Sequence, residues 1–475
     1  MKKYNLFKIL SITVLVVIVL TWLIKTSSFQ VDSLVVGDRS QVGLFTIGNY
    51  LTSSLSFFGY LSVFLLAIGG FYGVLNQTGS YVNLIDKIVK KFKGKKNIVL
   101  IVIMSLLALL TSLLGINIAL FIFIPFLITI ILKMGYDRIV ALLTTIGAMM
   151  VGVLGATYNY FIAGYITMAL SVEFHSNVIF RALILIFGVA ILAYNTLNYA
   201  KKNIKKTKKG KTKEEEIINE EIDPLYIETK TTKKSIMPLI VVFSLIFILL
   251  ILGVTPWASS FNINVFENMH SSIMEFEIGS FAVFNKLFGT ISAFGKWWFN
   301  EITILLILSS LVLGLVYGVK FNDILKSFVD GAKKLLPAAL LVLMAYIVLI
   351  IVSYHPFFYT IADYLLSLSK GFNALTFTIV TILSSVLYVD MEFISQGVVP
   401  LYTNLIISAN SYPIMAFIVQ TMYGLTMFIA PTSIILLIGL SYLEISYLKW
   451  LKVIFKPLLQ LFALVLLILI IIALI

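Results

Sequence analysis

Cysteine is absent from all 475 residues, which excludes disulfides, thiolate metal sites and cysteine nucleophiles. Charge is scarce as well. Only 12% of residues are charged against 60% hydrophobic, and the mean hydropathy of +1.04 cannot describe a water-exposed surface. The chain is therefore expected to be a polytopic membrane protein. The three histidines, His175, His270 and His355, fall at expected outer ends or loops, where solvated residues are expected rather than catalysts or metal ligands. A Walker A phosphate loop, an HExxH pair, a GxSxG elbow and a dinucleotide fingerprint are all missing. That excludes ATP-driven transport by this chain alone and leaves no reason to expect an enzyme, a cofactor or a metal.

What is present is a series of apolar runs. Leu6–Ile24, Val178–Tyr194, Pro238–Leu252, Ile302–Val319 and Leu458–Ile475 each match or approach the length that crosses a hydrocarbon core of roughly 30 Å, and none is read as carrying a central charge. Lys2, Lys3 and Lys8 precede the first run as in a signal peptide, but no small-residue cleavage site follows, so it reads as an uncleaved span. The net charge of +13 lies in short loops beside the runs, which fits the positive-inside rule and not nucleic-acid binding. The loop from Lys87 to Lys96 and the positions Lys133, Arg138, Lys320 to Lys334 and Lys449 to Lys456 are thereby placed in the cytoplasm with the N-terminus. Lys201 to Lys213, followed by Glu214, Glu215 and Glu216, reads as a mobile cytoplasmic linker that touches anionic lipid. Trp257, Trp297 and Trp298 bracket an external loop as interface anchors.

Two stretches, roughly 275 residues apart, carry the same punctuation, a pattern that marks the substrate site of secondary transporters. In the first half, residues 97–132 form an apolar stretch broken at Gly115-Ile116-Asn117, and residues 139–170 are broken by the segment from Gly152 to Asn159. In the second half, residues 374–409 are broken at Val389-Asp390-Met391-Glu392, and residues 413–442 at Ala430-Pro431-Thr432-Ser433. The first stretch has basic residues at both ends, so it is either two short spans or a re-entrant hairpin; halves of about 17 residues favour the hairpin. Charge counting puts the second hairpin on the outside. The expected architecture is an all-α polytopic membrane protein of two inverted-topology repeats, each with a re-entrant helical hairpin and an unwound transmembrane helix. The expected divisions are 1–200 for the N-terminal repeat, 201–235 for the linker, 236–300 for a connecting span and external loop, and 301–475 for the C-terminal repeat.

The segments Gly69-Gly70-Phe71-Tyr72-Gly73-Val74-Leu75-Asn76-Gln77-Thr78-Gly79, Gly135-Tyr136-Asp137, Gly152 to Asn159, Ala430 to Ser433 and Lys449-Trp450-Leu451-Lys452 resemble the C4-dicarboxylate anaerobic carrier family. Within the ion transporter superfamily the likeness is to the YfcC-like branch, assigned to basic amino acid antiport. The resemblance implies two inverted repeats, a homodimer, and transport domains that move against a scaffold. The chain departs from the family pattern at both tips: Ile118 and Ala119 stand where relatives carry carboxylates, and Val389 to Glu392 replaces a Ser/Gly-rich tip.

Unwound backbone in a bilayer persists only where it is buried in protein or lines a cavity, so the breaks supply the candidate site. Asn117, Thr157, Asn159, Asp390, Glu392, Thr432 and Ser433 are the expected substrate-binding residues; Gly155, Asp390 and Pro431 are the expected ion-coupling positions, for H+ or Na+. The competing reading is that the glycines allow close helix packing and that Pro431 only kinks its helix. Gln420 reads as helix-to-helix glue. Carboxylates deep in a bilayer face water, pair with a cation or take up a proton, so Asp390 and Glu392 favour a cationic cargo or coupling ion. The expected function is a secondary active transporter of a small charged metabolite in the cytoplasmic membrane, most simply a basic amino acid, by exchange or ion coupling. A C4-dicarboxylate carrier is the alternative, and a passive channel is a third reading.

Overall fold

The computed structural model describes residues 4–30, 33–210, 223–228, 232–369, 372–405 and 411–474. Among these, eight helices are long and apolar enough to cross a membrane. In chain order the main helices are α1 (Tyr4–Leu23), α2 (Thr46–Gln77) and α3 (Ser80–Lys91). A hairpin of α4 (Lys96–Leu114) and α5 (Ile124–Lys133) follows, then a helix broken into α6 (Arg138–Leu154) and α7 (Tyr160–Ala169), and the span α8 (Val178–Gly210). After the linker come α9 (Met237–Val254), α10 (Phe299–Val316) and α11 (Phe321–Tyr354). The second hairpin is α12 (Ala374–Leu387) with α13 (391–405), its remainder to 409 lying outside the described residues. The second broken helix is α14 (Tyr412–Met427) with α15 (Ile434–Tyr442), and α16 (Tyr447–Leu474) closes the chain. Among the described residues, sheet is limited to two short hairpins, Ser27–Gln30 with Ser33–Val36 and Glu277–Ile278 with Phe281–Ala282.

The axis of the molecule is the antiparallel pair α2 and α11. Ser54 Oγ donates to Leu343 O at 2.7 Å and Ser62 Oγ to Ala339 O at 3.0 Å, and farther along Gly69 and Gly73 meet Gly331. A Cβ on Gly69 would lie 2.5 Å from Gly331 O, and one on Gly73 or Gly331 would be closer still to the facing backbone. The Gly69 to Gly73 motif thus lets two backbones touch, as small residues do between membrane helices. Between those glycines, Tyr72 reaches the first hairpin, donating to Ile122 O at 2.7 Å and accepting from Phe126 N at 3.2 Å.

This axis has two distinguishable ends, and the hairpins open to opposite ones. At one end Asn76 holds the linker, Lys334 Nζ donates to Pro224 O, and Lys133 at the base of the first hairpin pairs with Glu228 at 2.7 Å. At the other end Tyr50 and Ser40 meet His355, and Ser27 meets Thr360 in the helix Phe358–Ser367 against which the second hairpin packs. The repeats are therefore inverted, with matching hairpin and broken helix in each half.

Three expectations are corrected. Residues 152–154 remain helical, so the first break spans only 155–159; Gly152 is a packing glycine whose Cβ would lie 2.6 Å from Ala108 O. The segment read as a mobile linker is helical to Gly210, and its later part is docked: Asp223, Leu225 and Tyr226 are buried, Asn76 bonds Leu225 O and Ile227 N, Lys334 donates to Pro224 O, and the Tyr442 hydroxyl donates to Asp223 Oδ1. Lys211 to Asn219, including Glu214 to Glu216, lies outside the described residues. His355 is buried rather than solvated, with Ser40 Oγ on Nδ1 at 2.7 Å and the Tyr50 hydroxyl on Nε2. The run from Val178 has a buried charge near its start, Arg181, and an uncharged centre.

Candidate substrate cavity

Each hairpin turns at its tip through one residue in the left-handed region. In the first repeat α4 stops because Gly115 takes φ +71°, a conformation open to glycine at no steric cost, and a tight turn over Ile118–Ile122 leads into α5. In the second repeat the same role falls to Val389 at φ +54°. A β-branched side chain there costs roughly 1–2 kcal/mol, strain of a kind that collects at functional sites. Tyr423 holds this turn by donating to Val389 O at 3.2 Å.

Both tips open onto one cavity of about 160 Å³. Gly115 and Asn117 line it from one side, Asp390 and Glu392 from the other, and Phe58, Tyr60, Phe161, Tyr165, Trp298, Tyr346 and Tyr423 form an aromatic wall. No lysine, arginine or histidine lines it among the described residues, so two carboxylates face it without a cation. Tyr346 donates to Asp390 Oδ2 at 2.7 Å, and its ring is stacked on Phe58 at 3.7 Å, which fixes the hydroxyl. Gln396 Nε2 donates to Glu392 Oε1 at 3.3 Å.

Behind each tip, the break in the long helix is stitched to the first arm of the hairpin. In repeat one Thr157 N donates to Ser112 O at 3.0 Å, while Ser112 Oγ donates to Gly155 O at 2.7 Å and lies 3.1 Å from Thr157 Oγ1. Asn159 Nδ2 donates to Thr111 O at 2.9 Å and approaches Asn117 Oδ1 at 3.5 Å; its own Oδ1 is buried without a partner among the described residues. In repeat two Thr432 Oγ1 donates to Val386 O at 2.6 Å, and Ser433 Oγ is buried and unpartnered among the described residues. The carbonyls that Pro431 and its neighbours free are taken by α16: Trp450 Nε1 donates to Phe428 O at 2.8 Å, and the Tyr447 hydroxyl to Ile429 O.

Asn117, Asp390 and Glu392 are thus the expected site residues that meet at the cavity. Asn159 stands directly behind Asn117. Gly155, Thr157, Pro431, Thr432 and Ser433 belong to the two stitched breaks and do not line the cavity. Trp297 and Trp298, expected as interface anchors, line the cavity instead.

Two features had no reading in the sequence. Apart from Trp298, which precedes α10, the aromatic wall comes from α2, α7, α11 and α14, and no local pattern separates those members from ordinary core aromatics. Arg181, 2% exposed, donates to Phe174 O at 2.7 Å and Ser176 O at 2.9 Å and reaches Ala156 O and Gln420 Oε1, both at 3.4 Å. Gln420 Nε2 also donates to Ala156 O at 2.9 Å. An arginine near a helix end normally extends its head group to water; here the loop before α8 folds over it.

A family model described as C4-dicarboxylate anaerobic carrier matches residues 5–474. An uncharacterized protein of Haemophilus influenzae is 24% identical over 402 residues, covering 82% of this chain and 70% of that protein. The crystal structure of the YdaH transporter of Alcanivorax borkumensis, described as revealing an unusual topology, aligns with 99% of this chain and 98% of its own, at 13% identity and a TM-score of 0.40.

Proposed function

The chain belongs to the C4-dicarboxylate anaerobic carrier family and is a membrane transporter, and on that premise we propose that it is a secondary active transporter whose cargo carries a positively charged amino group, a basic amino acid above all. One observation carries this reading: the cavity between the tips presents Asp390 and Glu392 and no basic side chain among the described residues. An ammonium group compensates half-buried carboxylates that face the cavity without a cation. The aromatic wall adds faces that attract cations, through Tyr346, Tyr423 and Phe58. The inverted repeats supply the alternating access, with each tip closing the cavity from one end. The broken helices, with buried unpartnered oxygens on Asn159 and Ser433, are where a coupling H+ or Na+ is proposed to act. The end bearing Lys133, Lys334 and the docked linker is proposed to be cytoplasmic in the cell membrane.

A second reading rests on the family description itself: a C4-dicarboxylate bound by the Asn117 amide and tip amide hydrogens, with Asp390 and Glu392 serving the coupling ion. Ligand-dependent thermal unfolding separates the two, because a ligand that binds only the folded state raises its apparent stability. Arginine, lysine or ornithine should stabilise the protein, and the effect should vanish in Asp390→Asn. Stabilisation by succinate or aspartate, retained in Asp390→Asn, would overturn the amino-group reading. Conductance without exchange stoichiometry in proteoliposomes would place the protein among channels.

A further inference from the structure

A second concavity lies outside the transport cavity, on the flank of the first hairpin. Its volume is about 530 Å³, and α3, both arms of the hairpin and α9 enclose it. The walls are apolar: Leu107 and Leu110 from α4, Leu120 and Phe123 from the turn, Phe243 and Phe247 from α9. Among the described residues, Ser244 is the only uncharged polar side chain in the lining. The mouth carries Lys87 and Lys91, one turn apart on the same face of α3 and both exposed. Neither lysine has a carboxylate within ion-pair distance among the described residues.

We propose that this groove is a binding site for one anionic phospholipid, its acyl chains lying along α9 and its phosphate held by Lys87 and Lys91. The dimensions support that occupant. Along α9 the lining runs from Ile236, just before the helix, to Phe247, eleven steps that at 1.5 Å per residue make about 16 Å. One leaflet of hydrocarbon is about 15 Å, half of a core of roughly 30 Å. The groove is thus apolar for one leaflet's depth and cationic at the headgroup level, the charge distribution an anionic phospholipid complements. A second copy of this chain would need a carboxylate placed at each lysine and a ridge of apolar side chains at leaflet depth. The bound lipid touches both arms of the first hairpin, so it sits beside the element whose tip closes the transport cavity.

Native mass spectrometry of the detergent-purified full chain, titrated with phosphatidylglycerol or phosphatidylcholine, tests the site. Wild type should retain one phosphatidylglycerol at least tenfold more tightly than phosphatidylcholine. Lys87→Gln with Lys91→Gln should weaken phosphatidylglycerol by about fivefold per lysine and leave phosphatidylcholine unchanged. Ser244→Trp fills the groove while keeping both lysines and should also release the lipid; both sets of changes are on exposed positions, and melting temperature checks their folding. Equal retention of the two lipids, unchanged retention in the double lysine variant, or full retention in Ser244→Trp would each overturn the proposal. So would a disulfide-linked dimer formed in membranes by Ser244→Cys in this cysteine-free chain, because a second copy would then occupy the groove.

Discussion

The two hairpin tips do the same geometric job with opposite chemistry. Gly115 turns the first without strain, and its surroundings are neutral: Asn117 at the cavity, Asn159 behind it, and Ser112 and Thr157 knitting the break. Val389 turns the second against a steric penalty, and it is followed by Asp390 and Glu392. The stitching differs too. Repeat one joins break and hairpin through Ser112, Thr157 and Asn159, with Arg181 and Gln420 bracing Ala156, whereas among the described residues of repeat two Thr432 makes the equivalent joint. Duplicated frames have been specialised, one toward a rigid neutral support and the other toward a strained charged tip. Strain is tolerable there because Tyr423 and the Asp390 to Tyr346 bond over-determine the turn.

The largest expected effect comes from removing the charge that distinguishes the tips. Asp390→Asn should lower transport roughly a hundredfold or more, the order expected when one partner of a buried ion pair is lost, while the melting temperature without ligand stays near wild type. Tyr346→Phe should lower transport by about tenfold, since it removes one hydrogen bond to a charged group. Proteoliposome uptake by both variants measures the ratio, and near-normal uptake in Asp390→Asn would show that the charged tip is not the cargo site.

Exchanging the turn residues tests the geometric half of the comparison. Gly115→Val should destabilise by about 2–4 kcal/mol, because it adds left-handed strain and its Cβ would lie 2.9 Å from Phe161 Cδ2 and 3.0 Å from Asn159 Oδ1. Val389→Gly should change stability by about 1 kcal/mol or less, since relief of strain opposes the loss of a buried isopropyl group. Equal melting temperatures for the two variants would mean that the tips are equivalent after all. A smaller contrast belongs to the joints: Ser112→Ala should cost about 1–3 kcal/mol, leaving Gly155 O without its donor, against about 1 kcal/mol for Thr432→Val.

Much of this frame is readable from the chain because membrane helices announce themselves by apolar length and their interruptions by residues that bilayers exclude. The tips at Gly115 and Val389 and the breaks ending at Asn159 and Ser433 fall where the sequence places them. What escaped reading depends on partners distant in sequence. Gly152 resembles a member of the break until α4 is seen pressed against it. Arg181 resembles a surface residue until Phe174 O and Ser176 O close over it. Asp223 and Tyr226 sit in a lysine-rich polar stretch, the composition of a solvated linker, and only their bonds to Tyr442, 219 residues away, and to their own turn reveal a docked segment.

That docked segment extends the contrast between repeats and yields the smallest, most local effect. Repeat one touches it through the Asn76 amide, which bonds Leu225 O and Ile227 N, and through the exposed Lys133 to Glu228 pair; repeat two touches it through Lys334 on Pro224 O and the buried bond of Tyr442 to Asp223 Oδ1 at 2.6 Å. Asp223 lies outside every span, and burial pushes its carboxyl up from the ordinary 3.8 to about 7, against the opposing pull of Tyr442, the amides of Leu225 and Tyr226, and Lys334. Tyr72 and Tyr81, from α2 and α3, face the same carboxyl. The docked form therefore prefers the neutral acid. Docking is strongest below about pH 4, where docked and free forms are both protonated, weakens as pH rises from there to about 7, and is level above that. Hydrogen exchange at Leu225 to Ile227, corrected for the intrinsic pH dependence of the rate, should show greater protection at pH 5 than at pH 8 in wild type. Asp223→Asn should remove that difference. Equal corrected protection at both pH values in wild type would mean that the carboxyl keeps its charge on docking, and that repeat two is anchored here by an ionised bond to Tyr442 rather than by a neutral one.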